Sequence, residues 1–294
     1  MIISNNYPAS IFNLSLPCRT VRNFNNIAIM IFTSPVESIY YLLPFIGLAV
    51  GLFGTMVGGG GGLIFLPVLV LFLEIPAHTA LITSLVATLP ISLAGSLAHY
   101  RKGHVQFRIA GQFAAAGLVG AITGAAVANQ FTEEGLVTGF GSYCIVIGLY
   151  IMVSTRKLTN MSKGNQALPV GTSGKYWVKS TFFGFSSGVI TGAFGTSGAA
   201  PLMAGLFSLQ LPVKVVIGTS LVVVASNTFF AIGGHFLVGS VDLTLVFFLT
   251  IGSIIGAWVG PSLISRVKTD NSENRIRYIF AVGIIILGII MIRG

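Results

Sequence analysis

Two glycine clusters are the places in this chain where backbone and side chains could act on a ligand. The first is Gly58-Gly59-Gly60-Gly61-Gly62, shortly after Thr55; the second is Gly192-Ala193-Phe194-Gly195-Thr196-Ser197-Gly198. Glycine runs lower helix propensity and free backbone groups. A helix that restarts after such a break presents amides without intrahelical partners and the positive end of its dipole. Two such ends facing each other would hold an anion without any Arg or Lys, and Thr55, Thr196 and Ser197 would add hydroxyl donors. The competing reading is close helix packing through small residues. Packing does not need consecutive glycines, so 58–62 and 195–198 are assigned to substrate. The scattered Gly54, Gly120, Ala121, Gly124, Gly256, Ala257 and Gly260 are assigned to packing.

Ser84 and Ser220 lie eight residues beyond Pro76 and Pro212, about 12 Å into a helix. At that depth a hydroxyl either faces substrate or bonds back to its own helix, and both readings stand. Asn227, deep in an apolar run, is either interhelical glue or a selectivity donor. His99 and His235 are repeat-equivalent. They either satisfy helix-end carbonyls or titrate as a gate or proton-coupling site. His78 and His104 have no repeat partner and take no role.

The acids Glu37, Glu74, Glu133, Glu134 and Asp242 all fall at the ends of apolar runs, with Asp270 and Glu273 in a link. Cation carriers usually place a carboxylate inside the membrane, so a cation carrier is disfavoured. There is no HExxH and no paired Asp in an apolar run, and His99 and His235 lie at segment ends, which leaves an intramembrane enzyme without a nucleophile–base pair. No cofactor or metal is expected, since Cys18 and Cys144 are the only cysteines.

The elements that must position these residues are membrane helices. Of 294 residues, 54% are hydrophobic and 8% charged, against roughly 25% charged in an average soluble domain. Mean hydropathy is +0.90. Soluble enzymes, nucleic-acid binders and disulfide scaffolds are excluded. The net charge of +9 resides in short links, where it orients the chain in a bilayer. Apolar runs cover about 39–56, 63–73, 77–99, 107–129, 136–154, 177–192, 198–210, 213–236, 242–264 and 277–292. The runs 63–73 and 198–210 fall short of the ~20 residues a crossing helix needs, and each follows one of the glycine breaks. Breaks of that kind are tolerated at membrane depth only where they are buried in protein or line a cavity.

The chain is a duplication. A shift of 134 residues pairs Gly54 with Gly188, Gly58 with Gly192, Gly61 with Gly195 and Pro67 with Pro201. A shift of 136 pairs Thr83-Ser84-Leu85 with Thr219-Ser220-Leu221, His99 with His235 and Gly120 with Gly256. The expected organisation is an N-terminal extension over 1–36, disordered or upstream of a true start at Met30. A first transmembrane repeat follows over 37–154, then a polar cytoplasmic linker over 155–176 and a second repeat over 177–294. Counting five membrane-entering segments per half places thirteen of the sixteen Lys and Arg on one side, as the positive-inside rule requires. Because five is odd, the halves are inverted repeats. The expected fold is therefore an all-α polytopic membrane protein of two inverted five-segment repeats, with Gly-rich broken helices near the midplane.

Residues Gly51 through Pro67, followed by Thr83-Ser84-Leu85 and Gly103-His104-Val105, resemble the sulfite exporter TauE/SafE family of membrane permeases. The second half repeats the pattern from Gly188 through Pro201, then Gly218-Thr219-Ser220-Leu221 and Gly239-Ser240-Val241-Asp242. The likeness spans roughly 40–292 and departs at Ile82, which stands where the second half has Gly218. It implies transport of small sulfur-containing anions (sulfite, sulfoacetate or other organosulfonates) across a cell membrane. Export by alternating access is the leading expectation. A passive anion channel and a proton-coupled uptake carrier are the alternatives. The partners expected are the small anion and the lipid bilayer, with no nucleic acid.

The charge distribution predicts that both termini lie outside the cytoplasm. A C-terminal reporter active only in the cytoplasm should stay silent, and a periplasmic-type reporter at the same position should be active; the reverse pattern would invert the topology.

Overall fold

The structure is a computed structural model that describes residues 30–36, 38–161, 174–209, 211–235, 240–266 and 270–293. Ten α-helices are described: α1 Leu43–Val57, α2 Gly62–Leu71, α3 Ala77–Tyr100, α4 Phe107–Ala128, α5 Glu133–Met161, α6 Gly174–Phe194, α7 Ala199–Phe207, α8 Val213–His235, α9 Leu243–Arg266 and α10 Asp270–Arg293. A 3-10 turn over Ser38–Leu42 leads into α1, which has Pro44 in its first turn, where a missing N–H costs nothing. Six of the helical segments are long and apolar enough to cross a membrane. The short helices α2 and α7 sit directly after the two glycine breaks.

Two features depart from an all-helical chain with a free N-terminus. Met30–Phe32 forms a strand, β1, paired in parallel with β2, Ser240–Asp242. Part of the stretch expected to be an extension is therefore tied to the second half; residues 1–29 lie outside the described residues. The second feature is Asp242, which heads α9 as expected for a segment end yet is fully buried. Its Oδ1 accepts the Thr244 amide at 2.9 Å and the Ser34 amide at 3.4 Å, so it caps α9 and fastens the strand. Of the expected linker, 155–161 continues α5 and 174–176 opens α6; positions 162–173 lie outside the described residues.

The two halves interlock rather than stand side by side. Helix α4 packs along α6, and α1 along α9. Both seams are made of small residues four apart, the spacing that lets membrane helices approach closely. A Cβ at Gly188 would strike the carbonyl of Gly117, one at Gly192 that of Ala121, and one at Gly124 that of Val189. In the other seam a Cβ at Gly51 would strike the carbonyl of Ser253, and one at Gly256 that of Leu48. In each seam the contacts advance together along both chains, so the paired helices are parallel. Helices α5 and α10 instead pair Gly141 with Gly288 and Gly148 with Ala281, and run antiparallel.

These contacts predict that Gly188→Val costs about 1–3 kcal/mol through overpacking against the α4 backbone. Gly283→Ala, where an added methyl meets nothing within 4 Å, should be neutral. Thermal unfolding of the detergent-purified variants, followed by size-exclusion chromatography, checks both.

Candidate functional site

Each glycine break is a chain reversal. In the first, α1 ends at Gly58 with φ +79°, and the amides of Gly59 and Gly60 return to the Gly54 carbonyl at 2.8 and 3.2 Å. Gly60 and Gly61 then take φ values of +61° and +84°, a region that only glycine enters without strain. The returning strand lies against α1, since a Cβ on Gly54 would stand 2.5 Å from the Gly61 nitrogen. The second break repeats this with Gly195 at φ +64° and Gly198 at φ +53°. A Cβ on Gly198 would strike the Ser187 carbonyl of α6.

The structural equivalence is Gly58 with Gly195 and Gly61 with Gly198, three residues along from the pairing read by glycine identity. Glycine recurs nearly every turn of α6, at 184, 188 and 192, so residue identity matches almost as well one turn out of register. The caps and reversals remove that ambiguity.

The two tips meet. A Cβ on Gly62 would stand 2.9 Å from the Ser197 nitrogen and 3.0 Å from the Thr196 Cα. One on Gly59 would lie 3.5 Å from the Ala199 Cβ and 3.7 Å from the Ser197 Oγ. The first turns of α2 and α7, with the free amides that helix starts carry, thus sit beside one another. Of the predicted residues, Gly59 and Gly62 meet Thr196 and Ser197 at this junction, while Gly58 and Gly60 face α8 and α3, Gly61 faces α1, Gly195 faces α3 and Gly198 faces α6.

Facing the junction is a polar stripe. A Cβ on Gly60 would lie 3.2 Å from Val224, 3.5 Å from Thr88 and 3.7 Å from Ser92. Ser84, Thr88 and Ser92 follow one another at four-residue spacing on α3, as do Ser220, Val224 and Thr228 on α8. All six are fully buried. Among the described residues, the hydroxyls of Thr88, Thr228 and Ser197 have no hydrogen-bond partner. Thr88, Ser92 and Thr228 were not singled out by sequence reasoning. The signal was there: each lies one or two helical turns beyond Ser84 or Ser220.

Ser84 and Ser220 themselves brace the breaks, each in the opposite half. Ser84 Oγ lies 2.7 Å from the Gly195 carbonyl and 2.8 Å from that of Leu81. Ser220 Oγ lies 2.9 Å from the Gly58 carbonyl and 2.8 Å from that of Ile217. A hydroxyl has one proton, and here it is shared between two carbonyls. The neighbouring threonines reach across in the same sense: Thr219 Oγ1 accepts the Gln106 amide at 3.1 Å, and Thr83 Oγ1 accepts the Asp242 amide at 3.4 Å.

The remaining predicted residues surround the junction. Thr55 is buried and donates back to Gly51 at 2.8 Å; its side chain is a packing surface for Gly95 and Gly260. Asn227 donates to Ser187 Oγ at 3.2 Å and faces Gly117, joining α8 to α6 and α4. His235 Nε2 donates to the Gly192 carbonyl at 2.7 Å. That carbonyl's helical partner would be the amide of residue 196, beyond the end of α6. His99 is buried, with its ring 5.8 Å from that of His104. Burial, reinforced by Lys214 and Lys102, holds the His104 imidazole below its ordinary pKa. Among the described residues no group of three or more His, Cys, Asp or Glu could hold a metal.

A model of a protein family described as sulfite exporter TauE/SafE matches residues 43–291. The chain is similar to a probable membrane transporter protein, YdhB, of Bacillus subtilis, at 30% identity over 71% of this chain and 84% of that protein. It is similar to a probable membrane transporter protein of Xylella fastidiosa, at 27% identity over 84% and 91% of the two. A second Bacillus subtilis relative, the probable membrane transporter protein YunE, is 24% identical over 85% and 96%. No solved structure matches.

The crossed serine bonds predict that Ser84→Ala and Ser220→Ala each cost about 1 kcal/mol, with a further penalty for leaving a buried carbonyl unpaired. Ser96→Ala, which removes only a local bond to Leu93 on an exposed face, should cost much less. Denaturation midpoints of the three variants test the ranking.

Proposed function

This chain belongs to the sulfite exporter TauE/SafE family, and we propose that it is a permease for small sulfur-containing anions such as sulfite or an organosulfonate. It is a multi-pass membrane protein, and its relatives are named as membrane transporters. The observation that carries the proposal is the junction of the two tips. Two helix starts lie side by side, with the unpartnered hydroxyl groups of Ser197 and Thr88 belonging to side chains that lie beside Gly59 and Gly60 of the first tip. Helix N-termini and hydroxyls are donors that suit an oxyanion, and no Lys, Arg, Asp or Glu belongs to the set. An anion bound there keeps its charge while its oxygens accept hydrogen bonds, so no fixed cation has to be buried.

The transport cycle we propose is alternating access between inverted halves around a site near the midplane. The antiparallel pairing of the equivalent helices α5 and α10, and the one-sided distribution of Lys and Arg in the sequence, both favour inversion. The closed packing around Ser84, Thr88, Ser197, Ser220 and Thr228 favours a carrier over a pore that stands open. Export needs no coupling ion for a monovalent anion, since a membrane potential negative inside drives it outward with ~2.3 kcal/mol per 100 mV. Proton-coupled uptake would rest on His99 and His235, and flux responding to a pH gradient would mark it.

Purified protein in proteoliposomes should give saturable flux of labelled sulfite under an imposed potential, with sulfoacetate as a competitor. Ser197→Leu should abolish it. Thr88→Val, which keeps the shape and removes one donor, should raise KM about tenfold, or ~1.4 kcal/mol. Folded wild-type protein that moves none of these anions would remove the substrate assignment. Single-channel currents would replace the carrier with a channel.

A further inference from the structure

A groove of about 510 Å³ runs on the outer surface between the beginnings of α4 and α6. Its rim carries Arg108 and Trp177, and its wall includes Phe107, Gln112, Gly111 and Ala115. Because α4 and α6 are parallel, both helix starts point to the same end, and their dipoles add positive potential to that of the guanidinium. Among the described residues no carboxylate pairs with Arg108. Two polar atoms nearby are buried without partners, Gln112 Oε1 and the Tyr176 hydroxyl, and Arg108 lies close enough to Tyr176 to act on it electrostatically. Next to the groove, Val178, Phe182 and Val119 are exposed apolar side chains of the same two helices, so the groove faces the acyl phase. Trp177, 52% exposed, has the amphipathic ring favoured at the headgroup level.

The matching positions of the other half carry different side chains. Matching the two seams contact by contact sets Thr244 where the first has Arg108, Phe247 for Gly111, Phe248 for Gln112 and Ile251 for Ala115. Tyr40 stands for Trp177. The second half has no arginine at the position of Arg108, and the groove lies at the end of the molecule to which the sequence assigns most of the Lys and Arg.

We propose that this groove binds one anionic glycerophospholipid, with its phosphate on Arg108 and one acyl chain along Gly111 and Ala115. The site is separate from the tip junction and does not depend on the transported anion.

The test uses full-length protein in neutral detergent, with phosphatidylglycerol, phosphatidylcholine and inorganic phosphate as three separate additions. Native mass spectrometry reads the stoichiometry, and thermal unfolding reads the stabilisation. One phosphatidylglycerol per chain should be retained, with affinity at least tenfold above that for phosphatidylcholine. Arg108→Gln should lose the preference. Ala115→Ile, which places the second half's larger residue in the groove wall and keeps the arginine, should lose retention altogether. Equal retention of the two lipids by the wild type would overturn the proposal whatever the variants do. So would unchanged binding by both variants, or full displacement of the lipid by inorganic phosphate.

Discussion

Backbone groups released inside a membrane protein have no water to turn to, and the architecture follows from how those at the two breaks are satisfied. The carbonyl of Gly195 is held by Ser84 and that of Gly58 by Ser220, each from the other half. Adjacent threonines hold the amides that open α4 and α9. A Thr-Ser pair on the central helix of one half thus fastens both a reversal and a helix start in its counterpart. The crossing is reciprocal, so neither break is complete without both halves. The glycine seams allow the approach that these short bonds require, because bulkier residues at Gly51, Gly188 or Gly256 would hold the helices apart.

Much of this was legible from composition. The glycine runs, the two short apolar stretches and the prolines ahead of α3 and α8 all locate breaks and helices without coordinates, because backbone propensity is a local property. Other features are not local. Nothing in the run around Ser84 says that its hydroxyl will meet Gly195 as well as its own helix. The carboxylate of Asp242 reads as a segment end and is one, but the Ser34 amide it accepts and the β1 strand paired beside it come from far away in sequence. The register of the duplication was one turn out around the breaks, since a pattern of recurring glycine repeats with the helix itself. Thr88 and Thr228 escaped notice for a different reason: single hydroxyls in apolar helices are common, and only their alignment with the serines gives them meaning.

The pseudo-symmetry is not perfect, and its departures cluster. Thr196 and Ser197 of the second reversal stand where the first has Gly59 and Gly60. Asn227 stands where α3 has Ile91, and Tyr143 where α10 has Phe280. At the tips themselves the second half carries Thr196 and Ser197, while the first has glycine. An anion between the tips would therefore meet chemically different partners on its two sides, as a polarised site does.

The interlocked seams also bear on biogenesis. Helix α1 finds its parallel partner α9 only after some two hundred further residues have been made, and α4 waits for α6. A ribosome-bound chain that has inserted its first five helices displays glycine-lined faces to lipid, with a serine aimed at a loop not yet synthesised. The first half is thus an unfinished surface rather than a folded domain. Its persistence until the second half arrives is a task for the insertion machinery and its chaperones, and the stretch most exposed to quality control is the interval between α5 and α9.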